Sequence, residues 1–131
     1  MMTAKFSALL LIAGTVLSVP ANAQDPSGSK VCIINNGGFV MRAATRCQKS
    51  GEGMVQSNGT GHFPLGSSRC INLKTDFNPP VKDGASCWMF IDIDLGVARQ
   101  SGENYTFDTN SANTVTYEVS GGGQNPRFHR Y

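Results

Sequence analysis

The sequence of 131 residues is poor in the groups on which most enzyme sites depend. It has two histidines and one tryptophan, and it contains no nucleophile elbow, phosphate-binding loop or short metal-binding motif. No window of ten residues places apolar side chains at helical spacing. Charge is nearly balanced, with 11 Lys and Arg against 9 Asp and Glu, which gives no general attraction to nucleic acid or to an anionic membrane. We therefore expect neither a helical fold nor a cofactor, and no nucleic acid as partner.

One long apolar run is present, and it lies at the N-terminus. A cationic start with Lys5 is followed by uncharged, leucine-rich residues 6–19, then by Pro20 and the small residues 21–23. This is the layout of a secretory signal peptide that is cleaved after Ala23. The run is shorter than the roughly 20 residues that a bilayer span needs, so we predict no transmembrane segment. We expect residues 1–23 to be a signal peptide and residues 24–131 to be a single secreted, extracellular domain.

The four cysteines are Cys32, Cys47, Cys70 and Cys87. An even number in a short exported chain predicts two disulfides. A zinc site is the alternative, but the gaps between these cysteines are longer than in the usual closely spaced ligand pairs. Four cysteines allow three pairings. We favour the nested one, Cys47 with Cys70 inside Cys32 with Cys87, because Cys47 and Cys70 flank the longest glycine-rich stretch.

Short runs of β-branched and aromatic residues between turn signals predict an all-β fold. We expect an antiparallel β-sandwich or small barrel stabilised by two disulfides. The clearest alternation runs over residues 87–95, where Met89, Ile91, Ile93 and Leu95 share one face and are predicted to be buried.

Two hairpins and two flexible ends are also predicted. Asn36-Gly37 favours a hairpin between residues 31–34 and 39–41; one long strand with a glycine bulge is the alternative. A second hairpin is predicted between residues 105–108 and 114–120, with Val115, Tyr117 and Val119 facing the core. Residues 24–29 are polar and rich in turn formers, so we expect a flexible leader, and a mobile tail over residues 122–131.

The opposite face of the 87–95 strand is the first candidate ligand site. It presents Trp88, Phe90, Asp92 and Asp94, and aromatic faces beside carboxylates can bind sugars or, through oxygen ligands, calcium. The alternative is a solvated face whose charges pair with Arg42 or Arg46 on a neighbouring strand. Asn58 and Asn104 begin N-glycosylation sequons, which would make the protein a glycoprotein in a eukaryotic source.

The two histidines allow a second, enzymatic hypothesis. Small secreted ribonucleases combine histidines with a carboxylate and an arginine for general acid–base cleavage of RNA. His62, His129, Glu118, Arg127 and Arg130 could supply those groups. However, both histidines are predicted to lie in loops or tails, whereas catalytic groups need a rigid frame.

Several segments resemble a known group of proteins. Residues 33–42, 63–73 and 114–121, with Gly84, Trp88 and Gly96, are similar to small secreted microbial and fungal β-sandwich proteins of the aegerolysin-like or actinoporin-like layout. That resemblance implies a sandwich fold and binding to lipids or surfaces, and it assigns a role to no single residue.

The function predicted from the sequence is that of a small secreted, non-catalytic binding protein, effector-like or lectin-like, with a role in virulence. Its partner would be an extracellular carbohydrate, a lipid or a host protein. The alternatives are a ribonuclease-type hydrolase and a membrane-active toxin or antimicrobial. No metal site is expected.

Overall fold

The computed structural model describes residues 26–131. Along the strands of this part of the chain, buried and exposed side chains alternate. The predicted signal peptide and its cleavage site lie outside these residues. The described residues contain no helix able to cross a bilayer. They form nine strands: β1 (Ser27–Gly28), β2 (Lys30–Gly37), β3 (Met41–Gln48), β4 (Val55–Gln56), β5 (Ser68–Asn72), β6 (Ser86–Ile93), β7 (Ala98–Phe107), β8 (Thr114–Gly122) and β9 (Asn125–Arg130).

The strands form two sheets packed face to face, so the predicted all-β sandwich is confirmed. Sheet A has the order β1-β7-β6-β3-β4, and sheet B has the order β5-β2-β8-β9. Most neighbours are antiparallel, but β1 with β7 and β2 with β8 are parallel. The chain changes sheet five times, between β1 and β2, β2 and β3, β4 and β5, β5 and β6, and β7 and β8, so many strand neighbours are not consecutive in the chain.

The core lies between the sheets and consists of the inward side chains of both. Met89, Ile91 and Ile93 on β6 are buried as predicted, and so are Val115, Tyr117 and Val119 on β8. Leu95 is the exception, because β6 ends at Ile93 and Leu95 lies in the following turn, fully exposed.

The hairpin predicted at Asn36-Gly37 is wrong. Strand β2 continues through Gly37 in parallel register with β8, and the chain then crosses to sheet A to begin β3. Asn35 is buried and fixes this crossing with its side-chain amide, so the two asparagines do not form a surface turn. The bulged-strand alternative is not found either, because residues 30–37 and 41–48 lie in different sheets.

The second predicted hairpin is wrong for the same reason: β7 lies in sheet A and β8 in sheet B. The consecutive antiparallel strand pairs of the described chain are instead β3–β4, β6–β7 and β8–β9.

Both predicted flexible ends contain ordered strands. The leader provides β1, and the Thr106 N–H donates to the carbonyl of Pro26 at 2.9 Å. The tail forms β9, because Pro126 and Phe128 pack inward while the strand pairs with β8.

Both pairs of cysteines form disulfides, but the favoured nested pairing is wrong. Cys32 bonds Cys70, and Cys47 bonds Cys87. In each pair the two residues lie directly opposite each other on antiparallel neighbours, β2 with β5 and β3 with β6, with 4.0 Å between the Cα atoms. Each disulfide therefore links two adjacent strands of one sheet. The glycine-rich stretch between Cys47 and Cys70 is not closed on itself.

Candidate functional site

Four connecting segments meet at one end of the sandwich, which we call the apolar end: residues 38–40, 61–67, 94–97 and 123–124. They are joined by backbone hydrogen bonds. The N–H of Asp94 donates to the carbonyl of Val40 at 2.9 Å, and the N–H of Val97 donates to that of Gly123 at 2.9 Å. The apolar end is therefore one connected surface.

Asn35 holds two of these segments together from inside the sandwich. Its side-chain amide donates to the carbonyls of Phe39 at 2.8 Å and Phe63 at 3.1 Å, and its Oδ1 accepts the N–H of Gly37 at 3.0 Å. Its backbone carbonyl also accepts the N–H of Gly66 at 2.7 Å. Asn35 is fully buried, and its bonds with Phe63 and Gly37 are shielded from water, which makes the end rigid.

Three apolar side chains project from this rigid end. Leu95 is fully exposed, Leu65 is 58% exposed and Val40 is 38% exposed. Single exposed leucines are common on soluble proteins. Here, three of the five large exposed apolar residues of the described chain lie on adjoining segments at one end. Such clustering is typical of an interaction surface.

The backbone at Leu95 shows that this exposure has an energetic cost. Its φ is 57°, and among residues 26–131 no other non-glycine residue has a positive φ. The left-handed conformation costs an ordinary L-residue roughly 1–2 kcal/mol. Glycine or asparagine would adopt it more easily. Leucine at this position gains no burial to offset the strain, and strained residues of this kind concentrate at functional sites.

The face predicted to bind a ligand lies elsewhere, on the outside of sheet A. Trp88, Phe90 and Asp92 point outward from β6 and are half-buried, as the alternation predicts, while Asp94 belongs to the apolar end. The structure thus does not place all four side chains on one face.

The charges of that face already have partners. Arg42 donates two hydrogen bonds to Asp92, at 2.8 and 3.1 Å, and the His62 Nδ1 lies 3.0 Å from the Asp94 carboxylate. The Arg46 guanidinium lies 3.7 Å from the centre of the Phe90 ring and covers it. Of these contacts, the Arg42–Asp92 pair is the one that the alternative interpretation expected.

A shallow groove of about 370 Å³ runs beside Phe90 over the small side chain of Ala44. Arg42, Gln56 and Asp92 line its sides. It is the feature of sheet A that best fits a polar ligand.

The residues of the ribonuclease hypothesis are divided between two places. His62 pairs with Asp94 at the apolar end, whereas His129 lies opposite Glu118 in the β8–β9 ladder. Arg127 lies on the outer face of sheet B, together with His129 and Glu118. The Arg130 side chain turns the other way and donates to the carbonyl of Asn104.

Glu118 is a weaker base than an ordinary glutamate. Hydrogen bonds from the Tyr131 hydroxyl and the Asn36 amide lower the pKa of its carboxyl. A general base works best with a pKa near the operating pH, so this environment does not favour acid–base catalysis.

The two sequon asparagines differ in surroundings. Asn58 is exposed in the segment after β4, while Asn104 is half-buried on β7 opposite Trp88. Among the described residues, no group of three or more His, Cys, Asp or Glu side chains could hold a metal ion.

The sequence matches no protein-family model and no curated protein. Solved structures with a similar layout include the membrane-binding domain of pneumolysin, at 13% identity and a TM-score of 0.43, covering 79% of this chain and 95% of that domain. Listeriolysin O has 9% identity and a TM-score of 0.43 over 79% of this chain. A toxin described as Gram-negative has 16% identity and a TM-score of 0.43 over 80% of this chain. The chain spans only 22% and 23% of these two whole toxins. Similarities at this level do not identify a family, and the function has to be argued from the chain's own geometry.

Proposed function

We propose that this protein binds the surface of lipid bilayers through its apolar end. The observation that supports this most directly is Leu95, a fully exposed leucine held at the tip of the β6–β7 turn in a strained backbone conformation. Val40 and Leu65 lie on the adjoining segments. Of the functions suggested by the sequence, this is the membrane-active alternative, and it places no chemistry at the site.

The binding energy available from the three side chains is modest. Complete burial of a leucine is worth about 2 kcal/mol, and the partly exposed Leu65 and Val40 add about 2 kcal/mol together. The sum of about 4 kcal/mol corresponds to a dissociation constant on the order of 1 mM. Insertion of the apolar end alone would therefore give weak, reversible attachment, about tenfold weaker than that of a single myristoyl chain.

The rigidity of the apolar end makes this energy usable. Its segments are already fixed by the buried bonds of Asn35 and by the backbone bonds of Asp94 and Val97. Loops that are ordered before binding lose little conformational entropy when they enter the interface.

A second candidate is carbohydrate binding in the groove beside Phe90, which corresponds to the lectin-like interpretation. The groove has a suitable size and polar sides. It ranks lower because a sugar ring could stack on Phe90 only after Arg46 had moved away. Glycan binding that is lost in Phe90→Ala and retained in Leu95→Asn would favour it.

Leu95→Asn tests the proposed function without endangering the fold. Asparagine accepts the left-handed conformation, so we expect thermal stability to be unchanged or to rise by about 1 kcal/mol. Binding to vesicles of phosphatidylcholine, with or without phosphatidylserine, should fall about 30-fold because about 2 kcal/mol of apolar transfer energy is lost. Co-sedimentation with vesicles and thermal unfolding measure the two effects separately.

Met54→Asn is the matched control. Met54 is also an exposed apolar residue, but it lies between β3 and β4 at the opposite end of the sandwich. Its replacement should leave vesicle binding unchanged. Equal losses in both variants, or no loss in Leu95→Asn, would contradict membrane binding through the apolar end.

A further inference from the structure

We propose that a ring of four arginines around the apolar end binds the phosphate-bearing headgroups of anionic phospholipids. The inference rests on the proposed membrane function and specifies which bilayers the protein selects. The four residues, which we call the arginine ring, are Arg42, Arg69, Arg99 and Arg127.

The position of each arginine along its strand is the first observation. Strands β3, β5, β7 and β9 all begin at the apolar end, and each has an arginine as its second or third residue. Strands β2, β6 and β8 end there and have no cation in their last three residues. Arg42, Arg99 and Arg127 pair with Asp92, Ile91 and Ser120, so these three arginines lie one or two residues back from neighbouring strand ends, just behind the tips that bear Val40, Leu65 and Leu95. Arg69 is set farther back, because it pairs with Ile33, four residues before the end of β2.

The four arginines also lie on different sides of the sandwich. Arg42 projects from the outer face of sheet A, in register with Asp92, and Arg127 projects from the outer face of sheet B, in register with Ser120. Arg69 is on β5, an edge strand of sheet B, where it lies over the Phe63 ring. Arg99 is on β7 at the opposite lateral edge, beyond the short pairing with β1. The end thus has an arginine on each side, with Arg69 set farther back than the other three.

The height of the ring matches the headgroup layer of a bilayer. A strand rises about 3.3 Å per residue, so Arg42, Arg99 and Arg127 lie roughly 3–7 Å behind the neighbouring strand ends, while Arg69 lies about 13 Å behind the end of β2. The headgroup region of one leaflet is about 5–7 Å thick. When the leucines of the tips reach the hydrocarbon boundary, the guanidinium groups of Arg42, Arg99 and Arg127 lie among the phosphates.

The described lysines and arginines are distributed differently: the lysines lie away from the apolar end, whereas arginines occur both there and, as Arg46 and Arg130, farther back. All four described lysines, Lys30, Lys49, Lys74 and Lys82, lie at or beyond strand ends remote from the apolar end. Two of them have local acceptors, since Lys82 pairs with Glu52 and Lys49 donates to the Asp83 carbonyl. Arginine, whose planar guanidinium can donate two parallel hydrogen bonds to a phosphate, is the cation at the apolar end.

Local carboxylates neutralise only part of the ring. Asp92 pairs with Arg42, and Asp94 pairs with His62. The other described carboxylates lie farther from this end, on Glu52, Asp76, Asp83, Glu103, Asp108 and Glu118. At the height of Arg42, Arg99 and Arg127, these three arginines and the two aspartates leave a formal net charge of +1.

The double variant Arg99→Gln/Arg127→Gln tests the proposal. Each cation near an anionic surface contributes about a fivefold gain in binding, so we expect about a 25-fold loss on vesicles containing phosphatidylserine. We expect little change on vesicles of phosphatidylcholine alone. Raising the salt concentration should weaken binding of the wild type more than binding of the double variant.

Lys30→Gln/Lys74→Gln is the control, because it removes the same net charge from the opposite end. It should bind both kinds of vesicle like the wild type. Equal losses in the two double variants would overturn the ring as a specific site and leave only non-specific attraction. Equal wild-type binding to both kinds of vesicle would also overturn it.

Two further arms separate the ring from its alternatives. Inorganic phosphate, compared with chloride at matched ionic strength, should not displace the wild type from anionic vesicles; displacement would assign the arginines to a free phosphate ligand instead of a lipid surface.

Failure of the proposed membrane function can be distinguished from failure of the arginine ring. If the membrane function fails, Leu95→Asn will bind vesicles as the wild type does. Failure of the ring alone would leave the Leu95→Asn effect intact while the arginine variants bind normally.

Discussion

Replacing Val40, Leu65 and Leu95 together with serine should weaken binding to vesicles by about a thousandfold, because the transfer energy of about 4 kcal/mol is lost. On vesicles of phosphatidylcholine alone, binding should fall to background. On anionic vesicles, the arginine ring should leave a weak, salt-sensitive remainder. Vesicle co-sedimentation over a range of lipid concentrations measures both results.

The triple variant should still fold. The three side chains are wholly or partly exposed, and the nearby hydrogen bonds of Val40 and Asp94 involve the backbone, which serine retains. Unfolding in denaturant should therefore stay within about 1 kcal/mol of the wild type. A folded triple variant that binds vesicles at full strength would exclude the apolar end as the contact surface.

Asn35→Asp should destabilise the protein by about 4 kcal/mol, although the two side chains have almost the same shape. A carboxylate cannot donate the hydrogen bonds that the amide gives to the carbonyls of Phe39 and Phe63. Each buried carbonyl left without a donor costs roughly 1–3 kcal/mol, and the new charge is itself buried. For a domain of this size the melting temperature should fall on the order of 20 °C, which differential scanning calorimetry would show.

The pH dependence of this variant provides an internal check. Burial raises the pKa of the introduced carboxyl in the folded state above its unfolded value, since the charged form is poorly solvated there. Stability should therefore recover below the unfolded pKa and be lost as the pH rises through the folded pKa. Asn58→Asp, the same change on an exposed residue, should alter stability by no more than about 0.5 kcal/mol. Similar stability losses in both variants would contradict the role of Asn35.

The sequence predicts strands well where alternation is local. Residues 87–93 show the period of two, and the structure confirms β6 with its buried Met89, Ile91 and Ile93. The even number of cysteines likewise predicts two disulfides correctly.

What the sequence does not reveal is which strands become neighbours. Both predicted hairpins are wrong because the chain changes sheet at those positions, and the disulfide pairing is wrong because it follows strand neighbours, not loop composition. Asn35 shows the difficulty most clearly. An Asn-Asn-Gly-Gly run is typical of a surface turn. Only the tertiary structure brings the carbonyls of Phe39 and Phe63 within reach of the buried Asn35 amide, which donates a hydrogen bond to each.

The candidate site is hidden from sequence for a similar reason. Val40, Leu65 and Leu95 are far apart in the chain, and Leu95 continues an apolar alternation that predicts burial. Because β6 ends at Ile93, Leu95 lies in a turn, and its side chain is exposed instead of buried. A signal for the arginine ring is present in retrospect, an arginine near the start of four strands, but it requires the strand boundaries to be known.

The most direct test of membrane binding through the apolar end is the depth at which its tip enters the bilayer. Trp88 is the single tryptophan and lies about 16 Å from the end of β6, so it reports on sheet A. In a Trp88→Phe background, Leu95→Trp places the reporter at the tip. With vesicles of brominated anionic phospholipids, we predict strong quenching and a blue shift for the reporter at position 95 and no quenching of Trp88 in the wild type. Quenching of Trp88 without quenching at position 95 would contradict this orientation and show that the outer face of sheet A meets the bilayer.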